Sequence, residues 1–257
     1  MSQKEFQQQT APWEQADEQP VEAPAAGLGA GIGTFEHGRR AEMSRVFMRQ
    51  LFAWMTAGLA VSGVIAFAVM SSESLRTMAA SLFLPLIIAE LVMVFVLSAR
   101  ISKMAVGTAV AMFMGYAALN GLTLGVIVAM YTGASVARVF FITAGTFGAM
   151  AAIGFTTKRD LTSMGTFFLM GLIALIVASV VNIFLMSSAL DWALSIVGVL
   201  LFCGLTAYDV QRFQKMGYMG FTDERSAGQM AVRGALNLYL DFINLFLYLL
   251  RLFGDRR

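Results

Sequence analysis

The segment ALNLYLDFINLFLYLLRLFG, residues Ala235–Gly254, is strongly apolar yet carries an aspartate near its middle. At 1.5 Å per residue, its 20 residues are long enough to cross the hydrocarbon core of a bilayer, about 30 Å thick. Its polar residues Asn237, Asp241, Asn244 and Tyr248 are spaced four, three and four apart, so they share one narrow helix face. The pattern predicts a transmembrane helix at the centre of a bundle, with its polar stripe facing a polar cavity.

Six further apolar stretches precede this segment, and the composition of the whole chain agrees with them. The chain is 58% hydrophobic and only 13% charged, whereas soluble domains carry about 25% charged residues. The sequence therefore predicts an all-α membrane protein with seven transmembrane helices, surrounded by the lipid bilayer. A polar loop is expected over 212–234, before the last helix. The first six helices are expected at about 50–70, 82–101, 104–130, 136–157, 164–187 and 190–211.

Residues 1–45 are rich in Gln, Glu, Pro, Ala and Gly and have little to bury. This predicts a disordered N-terminal tail (1–45) followed by a seven-helix membrane domain (46–257).

Lysines and arginines that flank the spans predict orientation, because they accumulate on the cytoplasmic side. Of the 18, 13 fall on one side, which predicts a cytoplasmic N-terminus and an outside C-terminus in the cell (inner or plasma) membrane. The five on the other side are Arg76, Arg138, Arg251, Arg256 and Arg257.

Three acidic residues, Glu90, Asp209 and Asp241, fall inside the predicted spans. A charged aspartate at the centre of a membrane helix costs roughly 2.5–3.5 kcal/mol, so such residues mark ion or proton sites, or make a structural hydrogen bond to a neighbouring helix. The sixth and seventh helices run in opposite directions, and their aspartates are expected to meet near the cytoplasmic side. Two adjacent carboxylates in low dielectric should share a proton at physiological pH.

The aspartate pair is also an acceptable oxygen site for Ca²⁺, if Asn237 or Asn244, carbonyl groups or water supply further ligands. Arg100 closes the second span at a similar depth, where it either pairs with one of the aspartates or anchors the helix on the cytoplasmic side. Glu90 lies nearer the middle of the membrane and is a candidate second station on a cation path.

Pairs of small residues four apart allow close packing of membrane helices. Gly121 and Gly125 form one such pair in the third span, and Ala144, Gly148 and Ala152 form a second series in the fourth. Both are expected to be packing seams.

Four segments together resemble the Bax inhibitor family of membrane proteins (the transmembrane Bax-inhibitor-motif group), in its bacterial branch. The most specific is ALNLYLDFINLFLYLLRLFG at 235–254, followed by LTAYDVQRF at 205–213. The others are TTKRDLTSMG at 156–165 and AALNGLTL at 117–124. Order and spacing agree with the family over Arg49–Gly254.

The resemblance implies a fold in which the last helix is central and wrapped by the other six. It also implies a pH-sensitive cation leak, chiefly of Ca²⁺. The family's pH-sensing aspartates correspond to Asp209 and Asp241, and its second-helix glutamate corresponds to Glu90. Arg100 is the candidate for the arginine that latches the aspartate pair in some members.

Two other functions compete with a leak. Two aspartates on neighbouring helices are also the arrangement of an intramembrane aspartyl protease, although Leu238, Tyr239 and Leu240 stand where such proteases carry Gly-x-Gly before the second aspartate. Some relatives bind a membrane-anchored quality-control protease, and a long cytoplasmic tail suits a regulatory partner in such a protease complex. The sequence has no H-E-x-x-H or Walker motif, and no enzyme activity, cofactor or nucleic-acid partner is expected.

Overall fold

The computed structural model describes the backbone of residues 26–257 and the side chains from residue 38 onward. The chain divides into two units, residues 1–39 and 40–257. Within the described part, eight α-helices account for the fold and no strand is present. They are α1 (Ala26–Ser71), α2 (Glu73–Ser81), α3 (Phe83–Arg100), α4 (Val106–Val128), α5 (Gly133–Thr156), α6 (Gly165–Leu185), α7 (Ser188–Met219) and α8 (Glu224–Phe253).

Seven of these helices, all except the nine-residue α2, are long and apolar enough to cross a membrane. The prediction of an all-α membrane protein with seven spans is therefore confirmed. Short connections join the spans, including single 3₁₀ turns at Ile101–Lys103 and Thr162–Met164. Except in its end turns, a helix pairs its backbone groups within one segment, as the hydrocarbon interior requires.

The N-terminal boundary differs from the prediction of a disordered tail over 1–45. Helix α1 begins at Ala26, so 26–45 is helical, while residues 1–25 lie outside the described residues. Adding a residue to an existing helix gains a hydrogen bond without a new nucleation cost, so α1 extends beyond the apolar run that anchors it.

The predicted polar loop over 212–234 is wrong. Helix α7 continues to Met219 and α8 starts at Glu224, which leaves a turn of four residues. Gly220 has a positive φ of 80° at this turn, a conformation that glycine adopts without strain. Asp223 then caps α8 by accepting a hydrogen bond from the backbone N–H of Ser226. Hydropathy reports the part of a helix that lies in hydrocarbon, and both helices extend past that part.

Helix α8 is the most buried of the seven spans. In its most apolar stretch 56% of the residues are buried, against 11% in α3 and in α6. It packs against α4, α5, α7 and the 3₁₀ turn at Ile101–Lys103. Its envelopment by all six other spans stays a prediction.

The seam between α1 and α4 uses the predicted glycines. A Cβ added at Gly121 would lie 2.9 Å from the Ser62 carbonyl oxygen, and one added at Gly125 would lie 2.5 Å from Val69 Cβ. The second predicted series is wrong at its centre, because Gly148 has open space beside it. Helix α5 instead meets α7 at Gly154, where a Cβ would lie 2.5 Å from the Ala207 carbonyl oxygen.

Candidate functional site: a cavity with two buried carboxylates

A cavity of about 620 Å³ lies between α6, α7 and α8, and both predicted aspartates line it. We refer to it as the carboxylate cavity. Its wall begins at Thr162, in the 3₁₀ turn before α6, and reaches Leu172 on α6 and Asn244 on α8. Leu172 lies ten residues after Thr162, which corresponds to about 15 Å of helix, roughly half of a 30 Å hydrocarbon core. The cavity therefore extends from one end of the bundle toward its middle.

Asp209, on α7, is only 6% exposed and has two polar neighbours. The side-chain amide of Asn237 on α8 lies on the same cavity wall beside its carboxylate. The guanidinium of Arg212, one helical turn along α7, lies 4.0 Å from Asp209 Oδ1 and keeps 44% of its side chain exposed. Arg212 thus sits beside the buried carboxylate while remaining in contact with the surroundings.

Asp241, on α8, is 5% exposed, and its Oδ2 is buried without a hydrogen-bond partner in the described part of the protein. An unpaired buried acceptor is costly, so this atom is a site where a proton, a water molecule or a cation would be stabilised. Asn237 and Asp241 are four residues apart, about 6 Å along α8. No hydrogen bond joins the two carboxylates among the described residues, although they are close enough to interact electrostatically.

The polar stripe predicted on α8 is divided between the cavity and its closed end. Asn237, Asp241 and Asn244 line the cavity, and Asn244 donates a hydrogen bond of 2.8 Å to the Leu240 carbonyl of its own helix. Tyr248 does not line it. Its ring stacks on Phe202, with centroids 5.9 Å apart, and fits against Gly198, where a Cβ would lie 2.7 Å from the ring. This packed layer closes the inner end of the cavity.

Glu90 belongs to a different polar cluster, on another face of α8. Its carboxylate accepts hydrogen bonds from Thr123 Oγ1 (2.7 Å) and Asn120 Nδ2 (3.1 Å), both on α4. Asn120 Oδ1 in turn accepts a bond of 2.8 Å from the Tyr239 hydroxyl, which lies 2.6 Å from Ser62 Oγ on α1. We call these five residues the tyrosine network. They connect α1, α3, α4 and α8, and none of them lines the carboxylate cavity.

The proposed latch residue, Arg100, is exposed at the end of α3 and has no ion pair with either aspartate among the residues described. The guanidinium beside the pair belongs to Arg212 instead. In the sequence, Arg212 is one of the 13 lysines and arginines that predict the orientation, and no role beside the aspartates was predicted for it. The spacing of Asp209 and Arg212, three residues apart on a helix, was the signal that could have identified it.

The cavity offers a small set of oxygen ligands. No cluster of three or more His, Cys, Asp or Glu side chains that could hold a metal is found in the part of the chain that the structure describes. Its lining supplies two carboxylates, two amide oxygens and three hydroxyls, those of Asp209, Asp241, Asn237, Asn244, Thr162, Thr166 and Tyr208. Hard cations such as Ca²⁺ take six to eight oxygen ligands, which side chains of these kinds and water supply together in proteins.

Seven membrane-length helices, three of which border a cavity with two buried carboxylates, define a polytopic α-helical membrane protein. A family model described as "Inhibitor of apoptosis-promoting Bax1" matches residues 44–257. The chain is 46% identical over 217 residues to inner membrane protein YbhL of Escherichia coli K12, covering 83% of this chain and 93% of that protein. The chain belongs to the Bax inhibitor family, as its motifs predicted.

Two further relatives match this chain over a similar length and at similar identity. An uncharacterized protein of Deinococcus radiodurans is 45% identical over 212 residues, covering 82% of this chain and 91% of the relative. The uncharacterized protein RP147 of Rickettsia prowazekii is 42% identical over 227 residues, covering 87% and 93%.

Proposed function

We propose that the protein is a pH-gated cation leak, with Ca²⁺ as the principal ion, and that Asp209 and Asp241 form its gate. The observation that carries the proposal is the pair of buried carboxylates on one cavity, one of them with an oxygen that has no protein partner. Two carboxylates in a cavity of low dielectric do not both ionise readily. A cavity of 620 Å³ has room for water between them, through which a proton can be shared.

A leak through this cavity needs an opening at its inner end. The stacked rings of Phe202 and Tyr248 block that end, and beyond them Arg251 pairs with Asp191 at 3.6 Å. In the proposed mechanism, the charge state of the aspartates biases a movement of α8 against α7 that separates this layer. The cation would then pass from the carboxylates and amides toward the other end of the bundle.

Arg212 is proposed to control entry in place of the predicted latch Arg100. Its positive charge lies 4.0 Å from Asp209 and repels an approaching cation, while it also stabilises the ionised carboxylate. Arg212→Gln is expected to raise Ca²⁺ entry at neutral pH. Arg159→Gln is a suitable control, because it removes a positive charge from the loop between α5 and α6 and leaves Asp209 paired with Arg212.

The decisive experiment is Ca²⁺ flux into liposomes that contain the purified protein and an entrapped indicator, measured from pH 6 to pH 8. Wild-type flux is expected to depend on pH, and Asp209→Asn combined with Asp241→Asn is expected to flatten that dependence. Glu224→Gln is the matched control, since it removes an exposed carboxylate from the first turn of α8, 17 residues before Asp241 and about 26 Å along the helix. An unchanged pH profile in the double variant rejects the gate, and no flux above empty liposomes rejects the leak.

We also propose the inner membrane as the location, since the similar YbhL is named as an inner membrane protein. The predicted orientation, with the N-terminus cytoplasmic, has support in the distribution of charge. Arg138 and Arg251 pair with Asp255 and Asp191 at one end of the bundle, opposite the end that carries Arg212. Alkaline phosphatase fused after the last residue should be active, and an inactive fusion would reverse the orientation.

A further inference from the structure

A second cavity, separate from the carboxylate cavity, lies between α1, α4, α5 and α8. Its volume is about 510 Å³ and its lining is almost entirely apolar. We refer to it as the lateral cavity. It shares no lining residue with the carboxylate cavity. There are two other apolar recesses, one lined by α6 and Leu190 of α7 and the other by α3 and Met112 of α4. Both are shallow grooves between two helices, whereas four helices line the lateral cavity.

The lateral cavity begins at one end of the bundle. Met70 lies one residue before the end of α1, Val128 is the last residue of α4 and Gly133 is the first residue of α5, and all three line it. It extends inward along α1 as far as Leu59. Leu59 lies eleven residues before Met70, which corresponds to about 16 Å of helix, about half of the 30 Å hydrocarbon core and thus the depth of one leaflet.

The cavity is also open toward the surrounding lipid. Phe67 on α1 and Phe141 on α5 border it and are 65% and 73% exposed. Gly63 and Gly133 have no neighbouring atom within 4 Å of a Cβ built on them, so there is space where a side chain would stand. The one hydroxyl in the lining, that of Ser62, lies 2.7 Å from the Ala117 carbonyl oxygen and 2.6 Å from the Tyr239 hydroxyl, so its hydrogen bonds are made inside the protein. No free polar group therefore remains there to hold a polar ligand.

We propose that the lateral cavity is a binding site for one acyl chain of a membrane phospholipid, taken from the leaflet at the end where α4 meets α5. Apolar cavities exclude water, and an empty one would forfeit the van der Waals contacts of its lining. A phospholipid chain supplies hydrocarbon to the depth of one leaflet. The guanidinium of Arg138, 56% exposed at the same end although paired with Asp255, suits the phosphate of the headgroup.

The site can be tested with the full-length protein in vesicles of phosphatidylethanolamine and phosphatidylglycerol. A small fraction of the phosphatidylglycerol carries a diazirine on one acyl chain, and the residues labelled after irradiation are mapped by mass spectrometry. Labelling of the wild type is expected to concentrate on 133–141 and 242–246. Gly63→Phe fills the open space and is expected to reduce that labelling about tenfold, which corresponds to 1.4 kcal/mol.

Gly148→Phe is the matched control. Gly148 also has open space beside it and lies on α5, but it does not line the cavity, so labelling of 133–141 should persist. Gly133→Phe is a second filling variant, to be used if Gly63→Phe does not fold, as judged by helicity and elution volume. Equal labelling of the exposed faces of α3 and α6 would overturn the site, as would full labelling in the filled variants. If a diazirine fatty acid labels these residues and the phospholipid probe does not, the choice of a phospholipid as the ligand is overturned.

Discussion

The tyrosine network can be tested by removing one hydroxyl. Tyr239 is fully buried on α8, and Tyr239→Phe keeps its ring contacts with Phe113 and Tyr116 while it removes the contacts with Asn120 Oδ1 and Ser62 Oγ. Hydrogen bonds between membrane helices contribute about 0.6 kcal/mol each on average. Losing two should lower the free energy of unfolding by about 1.2 kcal/mol, a roughly sevenfold change in the unfolding constant. Equilibrium unfolding in mixed micelles with SDS, followed by circular dichroism, measures this change.

Tyr116→Phe is the matched control for this measurement. Tyr116 is buried beside Tyr239, and its hydroxyl makes no hydrogen bond with any residue that the structure describes. Its loss should change the unfolding free energy by less than about 0.5 kcal/mol. Combining Tyr239→Phe with Ser62→Ala should reveal a coupling energy of about 0.6 kcal/mol. Equal effects of the two tyrosine substitutions, or strict additivity with Ser62→Ala, would refute the network.

Three further predictions concern the packing and the ends of the helices. Gly125→Leu should destabilise the protein by about 1–3 kcal/mol in the same assay, because its Cβ would lie 2.5 Å from Val69 Cβ; a normal unfolding curve would contradict this seam. The hydrogen bond from Lys215 lowers the pKa of Asp160, so the pair stabilises the fold above about pH 4 and this contribution is lost as the pH falls further. Asp160→Asn should therefore lower the melting temperature slightly at pH 7 and less in acid, and a pH-independent difference would contradict the pairing. Asp223→Ala should speed amide hydrogen exchange at 224–227, while Asp223→Ser, which can still cap α8, should not.

The fold was predictable because lipid leaves a chain of this composition few choices. Apolar runs of about 20 residues must form helices in a membrane, and the number of runs gives the number of spans. The ends of α7 and α8 were not predictable in this way, because hydropathy does not report helix that extends into water. The signal for the short turn was local: Gly220 can adopt a positive φ, and Asp223 precedes Ser226 at capping distance.

The carboxylate cavity was predictable to the level of its main residues. The spacing of Asn237, Asp241 and Asn244 identifies the face of α8, and the opposite directions of α7 and α8 bring Asp209 to it. The same spacing included Tyr248 wrongly, because periodicity gives a direction and not the size of the neighbour, here Phe202. The separation of Glu90 from the aspartates was not predictable, since its partners lie on α4, about 30 residues away in sequence.

The two polar sites lie on different sides of the same helix, which has a consequence for any movement of α8. Tyr239 and Asp241 are two residues apart, about 200° around the helix, so one points into the tyrosine network and the other into the carboxylate cavity. A rotation of α8 that moves Asp241 relative to Asp209 must also pull the Tyr239 hydroxyl away from Asn120 and Ser62. The network therefore adds roughly 1 kcal/mol to the cost of opening, about two hydrogen bonds between membrane helices. Under the proposed gate, Tyr239→Phe should raise Ca²⁺ flux at every pH without changing the form of the profile, because the titrating groups remain in place. A shift of the pH midpoint with no rise in flux would instead place the tyrosine network inside the proton-sensing site.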